Sequence, residues 1–207
     1  MSLPNTMSKV IGVAGVAGAG KDTFLDLLSR NLPNVKRFAL ADNLKRELNP
    51  FFKEMYGVDI FTCPRETKDL LRPILVAHGK MRRISSEGKH WTNMLTKEIE
   101  EYRAANPDHI IVVTDIRYDF FPKDEVHWLK NEMKGTLVHL RRWYQEEDNH
   151  RKIFVEPPNE DERLNDPKLI KAANYRIEWP TVKKDDGTID YNSLNLYVEE
   201  FTKFLFR

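Results

Sequence analysis

A glycine-rich segment near the amino end constrains the fold of this chain more than any other feature. Residues 15–23 read Gly-Val-Ala-Gly-Ala-Gly-Lys-Asp-Thr, after the apolar run Val10–Val13 and before an amphipathic segment at 24–32. A strand, a glycine-rich turn and a helix in this order are typical of a phosphate-binding loop, where backbone N–H groups and the helix N-terminus face phosphate oxygens. The alternative is an ordinary turn between a strand and a helix.

The spacing from Gly15 to Gly20 and Lys21 fits the Walker A pattern, with one departure. Asp22 stands where Ser or Thr is usual, and Thr23 follows it. Two interpretations of Asp22 stay open: it holds Mg²⁺ in place of the hydroxyl, or it faces the acceptor and positions its attacking group. Thr23 then takes the metal or caps the helix. Lys21 is expected to reach the terminal phosphates.

Alternating strands and helices follow this segment. Apolar and β-branched runs predict strands at 9–14, 35–40, 109–113, 135–140 and 175–179. Helical spacing predicts helices at 21–31, 41–48, 50–55, 64–78, 91–104, 124–133, 169–173 and 191–205, with Asn49-Pro50 as a restart and Gly79 as a stop. Residues 141–165 are interpreted as a long polar loop, and Asp186-Gly187 as a turn. This alternation predicts one α/β domain over 8–207, three-layered and doubly wound with a mostly parallel sheet.

Charged residues follow several of the predicted strands. Asp115 ends the β-branched strand, where a Walker B acid holds Mg²⁺, and Arg117 comes two residues later. A helix N-cap or a surface ion pair is the alternative for Asp115. Because ligands in doubly wound sheets lie beyond the carboxyl ends of strands, we expect the loop, Asp115 and Arg141 to meet at one sheet edge. Further arginines are candidates for stabilising phosphoryl transfer or are solvated: Arg72, Arg82, Arg83, Arg142 and Arg151.

The bulk composition excludes several classes. Lys and Arg total 33 against 32 for Asp and Glu, which disfavours nucleic acid binding as the main role. No apolar run predicts a membrane span. The single cysteine, Cys63, allows no internal disulfide and favours a cytoplasmic location. The six histidines lack zinc-ligand spacing. Residues 1–7 lack the apolar stretch of a signal peptide, and we expect them to be disordered or cloning-derived.

Taken together, the motifs resemble those of the deoxynucleoside monophosphate kinases of tailed bacteriophages. They are more distantly similar to those of dephospho-CoA and phosphomevalonate kinases. The matching segments are 15–23, 38–45, Arg72 to Gly79 with Arg83 and Trp91 downstream, Asp115-Ile116-Arg117 with Glu125, and 173–177. Two departures are Pro157-Pro158-Asn159-Glu160 in place of a His-x-Ser-Glu element and a longer insertion between Arg117 and Glu125.

The resemblance implies transfer of the γ-phosphoryl group of ATP to a deoxynucleoside monophosphate, with Mg²⁺, by a P-loop fold with acceptor-binding and lid insertions. It implies an acceptor-binding segment at about 57–91, a lid at about 141–165, and a homodimer. The implied catalytic residues are Lys21, Asp22, Arg72, Asp115, Arg117 and Arg141. The implied ATP-binding residues are Gly15, Ala17, Gly18, Ala19, Gly20, Lys21, Asp22, Thr23 and Arg142, and the metal ligands are Asp22, Thr23 and Asp115. A kinase of another acceptor, such as dephospho-CoA, and a nucleotide-binding regulator without turnover are the alternatives.

Overall fold

A sheet with helices on both faces organises the chain in the computed structural model, which describes residues 9–146, 151–182 and 188–207. The strands are β1 (Val10–Ala14), β2 (Val35–Phe38), β3 (Ile110–Ile116), β4 (Thr136–Gln145), β5 (Lys152–Phe154) and β6 (Tyr175–Pro180). The helices are α1 (Lys21–Asn31), α2 (Leu40–Tyr56), α3 (Arg65–Ser85), α4 (Lys89–Ala105), α5 (Glu125–His127, continued by a π turn at Trp128–Glu132), α6 (Glu160–Ala172) and α7 (Tyr191–Leu205). The parallel strands lie in the order β2–β3–β1–β4–β6, and β5 pairs antiparallel with the end of β4.

The buried strands divide their side chains between two cores, as the period of two in a β-strand requires. In β1, Ile11 and Val13 face the helices α1 and α7, whereas Val10 and Ala14 face α4, the π turn and α6. Strand β3 alternates in the same way. This arrangement confirms the predicted three-layer α/β fold with a mostly parallel sheet.

The parallel register brings the ends of the central strands together. Ala14 of β1 lies opposite Ile116 of β3 and His139 of β4. The glycine-rich loop after β1 and Arg117 after β3 therefore leave neighbouring strands at the same edge of the sheet. Of the three groups predicted to meet at this edge, the loop and Asp115 are brought together by the pairing of β1 with β3.

Two predicted helix boundaries, at Pro50 and at Gly79, are wrong. Helix α2 runs without interruption through Pro50, which is exposed. Helix α3 continues past Gly79 to Ser85. Gly79 is buried against α2, and a Cβ atom there would lie 2.6 Å from Cδ1 of Leu44, so the glycine permits close helix packing.

The predicted polar loop at 141–165 is also wrong as an element. Strand β4 extends to Gln145, β5 returns beside it, and α6 already begins at Glu160. This extension reads Arg-Arg-Trp-Tyr-Gln and is only partly buried, so no apolar run marked it. Residues 1–7 and the turn predicted at Asp186-Gly187 lie outside the described residues.

The segment between β2 and β3 adds a small core of its own. Phe52, Ile60 and Leu71 are buried together, apart from the two cores that cover the sheet. Helices α2, α3 and α4 pack against one another here and form one wall of the cleft discussed below. Among the described residues, no helix combines the length and the hydrophobicity of a transmembrane segment.

Candidate functional site

The loop between β1 and α1 depends on glycine at three positions. Gly15, Gly18 and Gly20 have φ angles of 135°, 83° and 94°, which L-residues with a side chain rarely adopt. A Cβ atom at Gly15 would also collide with the carbonyl oxygen of Leu140 in β4. The turn brings backbone N–H groups to the N-terminus of α1, where the partial charges of the helix favour an anion.

A buried tryptophan supports the loop from behind. The indole Nε1 of Trp179, at the end of β6, donates a hydrogen bond of 2.9 Å to the carbonyl oxygen of Ala19. A Cβ atom at Gly20 would lie 2.8 Å from Cζ2 of the same ring, so the loop backbone packs directly on the indole. Trp179 is 1% exposed and contacts Phe24 of α1 edge to face.

The loop contacts an anion within the protein itself. The exposed N–H of Ala17 donates a hydrogen bond of 2.8 Å to a carboxylate oxygen of Glu162, which comes from α6. The Nζ of Lys21 folds back and donates to the carbonyl oxygens of Gly15 (2.6 Å) and Val16 (3.0 Å). Burial, and then the positive charge of Arg117, lower the pKa of Lys21.

Asp22 and Thr23, which the sequence predicts to bind ATP and the metal, lie at the start of α1. Asp22 is exposed in the first turn. Thr23 lines a pocket of about 170 Å³ together with Gly20, Arg142 and Trp179. Residues 180–182, 189 and 194 complete the lining of this pocket. Gly20 is the cap residue of α1 and no side-chain hydrogen bond caps the helix, so the role of helix cap proposed for Thr23 is not realised.

A larger cleft of about 220 Å³ opens beside the loop, between the sheet edge and α2, α3 and α4. It contains five cationic side chains and two carboxyl groups: Lys45, Arg72, Lys80, Arg83, Arg117, Asp115 and Glu125. Burial raises the pKa of Glu125 to about 8 and also raises the pKa of Asp115. The cleft is therefore positive at neutral pH and suits an anionic ligand.

Asp115 supports the neighbouring helix. Its two carboxylate oxygens accept hydrogen bonds from the N–H groups of Leu40 and Ala41, each at 2.8 Å, at the N-terminus of α2. The capping alternative for this residue is thus realised, while the carboxylate also lines the cleft. The two N–H donors oppose the pKa rise that burial causes.

Arg117 is positioned through its backbone. One carboxyl oxygen of Glu125 accepts the N–H groups of Arg117 (2.6 Å) and Tyr118 (3.0 Å). The guanidinium of Arg117 lines the cleft, and its Nη1 lies 3.7 Å from Glu162. Arg117 therefore lies between the cleft and the loop.

Arg83 of α3 is the most buried of the cleft cations. Its Nη2 lies 2.6 Å from Asp124, which is fully buried, and its guanidinium stacks 3.5 Å from the ring centroid of Tyr118. Within the described chain its buried Nε has no hydrogen-bond partner. A buried donor of this kind is costly unless a ligand satisfies it.

The other predicted arginines are distributed unequally. Arg72 lines the cleft, is exposed, and pairs with Asp69 one turn away at 2.9 Å. Arg141 lies inside β4, bonds Glu178 at 2.8 Å and stacks on Phe154. The structure does not bring Arg141 to either pocket, because β4 is longer than predicted.

The described residues offer few ligands for the implied metal. Among the described residues, no group of three or more His, Cys, Asp or Glu side chains could hold an ion by itself. Mg²⁺ bound to phosphates keeps several waters and needs only one or two protein oxygens. The carboxylate of Asp22 and the hydroxyl of Thr23, at the end of the loop, fit that smaller requirement.

Three of the residues at this site were missed in the sequence. Trp179 could have been found, because it stands at the carboxyl end of a predicted strand. Tyr118 and Glu162 gave no comparable signal. Glu162 is one of three consecutive acidic residues, and the sequence does not distinguish it from the other two.

Comparisons with known proteins find solved structures that resemble the chain at low sequence identity. The chain is similar to the structures of dephospho-CoA kinase from Campylobacter jejuni (11% identity, 96% of this chain and 97% of that one, TM-score 0.44) and shikimate kinase from Bacteroides thetaiotaomicron (15%, 96% and 99%, 0.45). It is also similar to a tunicamycin resistance protein from Deinococcus radiodurans (11%, 94% and 95%, 0.43). No protein-family model and no curated protein sequence matches the chain. These identities and scores assign neither a family nor an activity.

Proposed function

We propose that the chain is an ATP-dependent phosphotransferase that phosphorylates a nucleoside monophosphate, most specifically a deoxynucleoside monophosphate. One observation carries this proposal. A glycine loop whose N–H group already binds a carboxylate lies directly beside a positively charged cleft. Two adjacent anion sites at one sheet edge suit a reaction between two phosphate-bearing molecules.

The loop is the proposed site of the ATP triphosphate. Its N–H groups and the N-terminus of α1 bind the phosphates, and Lys21 leaves the loop carbonyls to reach the terminal phosphate. The pocket beside Thr23 and Arg142 then receives the base, because it is next to the loop and includes apolar side chains from Val182, Ile189 and Leu194.

The cleft is the proposed site of the acceptor. Arg72 and Arg83 approach it from α3, and Arg117 approaches it from the sheet. A phosphate monoester on the acceptor supplies oxygens for the unpartnered Nε of Arg83 and for the exposed guanidinium of Arg72. The acceptor phosphate then lies next to the loop, with Arg117 between the two ligands.

In the proposed reaction, an oxygen of the acceptor phosphate attacks the γ-phosphorus of ATP. A new P–O bond forms as the bond to the β–γ bridging oxygen breaks, and ADP leaves with that oxygen. Lys21 and Arg117 stabilise the charge that develops on the transferred group, and no covalent enzyme intermediate is required. Asp22 or Thr23 would hold Mg²⁺ that arrives with ATP, and the ion would neutralise phosphate charge.

An ADP-release assay across the common nucleoside and deoxynucleoside monophosphates tests the proposal. Dephospho-CoA and shikimate are included as acceptors of a different chemistry. We expect turnover with at least one monophosphate, and a loss of about 100-fold or more in Lys21→Ala. The control is Lys97→Ala, which removes an exposed lysine of α4. Near-wild-type turnover in a folded Lys21→Ala protein, or turnover only with dephospho-CoA or shikimate, would contradict the assignment.

A further inference from the structure

Helix α6 places a carboxylate on the phosphate-binding loop. Glu162 Oε2 accepts the N–H of Ala17 at 2.8 Å, and Oε1 lies 3.7 Å from Nη1 of Arg117. The Glu162 side chain is only 14% exposed although it carries a charge. Its negative charge favours the ammonium form of Lys21. Glu162 thus contacts the Ala17 N–H and Arg117 and acts electrostatically on Lys21, three groups that a bound phosphate would also use.

The space under α6 is too small for a phosphate while this contact is made. The crevice bounded by the loop, Arg117, Glu162 and Asp166 has a volume of about 10 Å³, which is the room that one water molecule needs. A phosphate group is several times larger than a water molecule. Because Glu162 already accepts the Ala17 N–H, a phosphate oxygen can bind this N–H only when Glu162 withdraws.

The two halves of α6 are attached to the protein differently. The second half is fixed, because Leu169 is buried in the core and Lys130 bonds the carbonyl of Ala172. Asp166, at the end of the first half, lies 2.8 Å from the buried His139. The first turn of α6 is capped by the side chain of Asn159. The hydrogen bond between Glu162 and Ala17 joins this turn to the glycine loop. Pro167 lies between the halves and lacks the N–H that would bond the preceding turn. The first turn can therefore separate from the loop while the second half stays in place.

We propose that Glu162 is an internal competitor for the phosphate site, so that the chain alternates between a state closed by Glu162 and an open state that binds nucleotide. The inference rests on the proposed function, because it takes the loop to be the triphosphate site. In the closed state, Glu162 occupies the loop N–H and attracts Arg117. Binding of nucleotide displaces the carboxylate and leaves Arg117 available to the transferred phosphoryl group.

The neighbouring acid provides a matched test. Glu162→Ala removes the competitor, whereas Glu160→Ala removes the same charge from a side chain that is 64% exposed and pairs with Arg163. Binding of a nonhydrolysable ATP analogue with Mg²⁺ is measured by calorimetry for the full chain and both variants. If the closed state dominates, we expect the analogue to bind about tenfold more tightly to Glu162→Ala and unchanged to Glu160→Ala. We also expect faster hydrogen exchange of the Ala17 amide in Glu162→Ala without nucleotide.

The outcomes separate this inference from the proposed function. Equal affinities in the wild type and Glu162→Ala would overturn the competitor role while leaving the nucleotide site intact. Weaker binding by Glu162→Ala would make Glu162 part of the nucleotide site and would also overturn it. No binding by any of the three proteins would overturn both proposals. If Glu162→Ala fails to fold, Glu162→Gln is measured instead, because its amide keeps the shape and loses the charge.

Discussion

The indole nitrogen of Trp179 lies 2.9 Å from the carbonyl oxygen of Ala19 and joins the last strand of the sheet to the glycine loop. The two residues are 160 positions apart, and both are buried. The same ring fills the space where a side chain on Gly20 would otherwise lie. The loop conformation therefore depends on a residue that forms no part of the loop.

Replacement of this tryptophan tests that dependence. In Trp179→Phe, the carbonyl of Ala19 loses its donor, and we expect a loss of about 1 kcal/mol in the free energy of unfolding and a similar loss in ATP binding. Calorimetry and urea denaturation measure the two effects. Trp143→Phe is the control, because Trp143 also donates to a backbone carbonyl, that of Glu178, but away from the loop. Unchanged ATP affinity in Trp179→Phe would show that the indole does not position the loop.

A methyl group at Gly15 tests the close approach of the loop to β4. With a φ of 135° and the carbonyl of Leu140 in the path of the new Cβ, Gly15→Ala should lose ATP binding and about 2–4 kcal/mol of stability. Gly57→Ala is the control, since Gly57 also has a positive φ, 66°, but has open space around its Cβ position. It should cost about 1 kcal/mol and keep ATP binding. Equal losses in the two variants would refute the role of the Leu140 contact.

Arg72 and Arg65 form a natural pair for testing the acceptor site. Both are exposed on α3 and pair with Asp69, but only Arg72 is among the cleft-lining residues. We expect Arg72→Ala to raise the KM for the acceptor about tenfold, with unchanged ATP affinity, because it removes a cation from the acceptor phosphate. Arg65→Ala should leave the KM unchanged. Steady-state kinetics with both substrates varied decide the matter, and an equal KM in the two variants would remove Arg72 from the site.

The buried carboxyl group of Glu125 predicts how stability depends on pH. Its pKa rises from 4.5 in the unfolded chain to about 8 in the folded protein, because burial disfavours the charged form. Between these values the unfolded chain loses the proton and the folded protein keeps it. The stabilisation is thus complete below pH 4.5 and is lost as the pH rises through 8, with a slope of at most about 1.4 kcal/mol per pH unit.

Substitution by glutamine removes this titration. In Glu125→Gln the amide oxygen can still accept the N–H groups of Arg117 and Tyr118, while no proton is lost. Urea denaturation at several pH values from 5 to 8 should give a flatter profile for the variant. The raised pKa of Asp115 acts in the same direction and leaves a residual slope in both proteins. Parallel profiles would mean that Glu125 is ionised in the folded protein at neutral pH.

Helices that are marked by a pattern within their own sequence were predicted well. The bounds of α1 and α7 agree with the prediction at both ends, because each helix has one apolar face and clear boundary residues. Gly79 shows the limit of such reasoning. A glycine that ends a helix and one that lets two helices approach look the same in one sequence, and only the position of Leu44 separates them.

Only those parts of the candidate site that a local sequence pattern marks were predicted. The loop and Arg117 meet at one sheet edge, as the spacing of strands and motifs indicated. Arg141 was placed at the wrong position because the exposed part of β4 lacks an apolar pattern. The partner of the loop, Glu162, depends on how α6 folds back over the sheet, and no local pattern distinguishes it from its acidic neighbours.

The sequence by itself determined the loop, since three glycines and a following amphipathic helix restrict the backbone through steric effects within a few residues. Only the tertiary structure decided what surrounds that loop: the indole of Trp179 behind it, the carboxylate of Glu162 on it, and the cations of the cleft beside it. These contacts join residues far apart in the chain. They follow from how the helices pack on the sheet, which local conformational preferences do not specify.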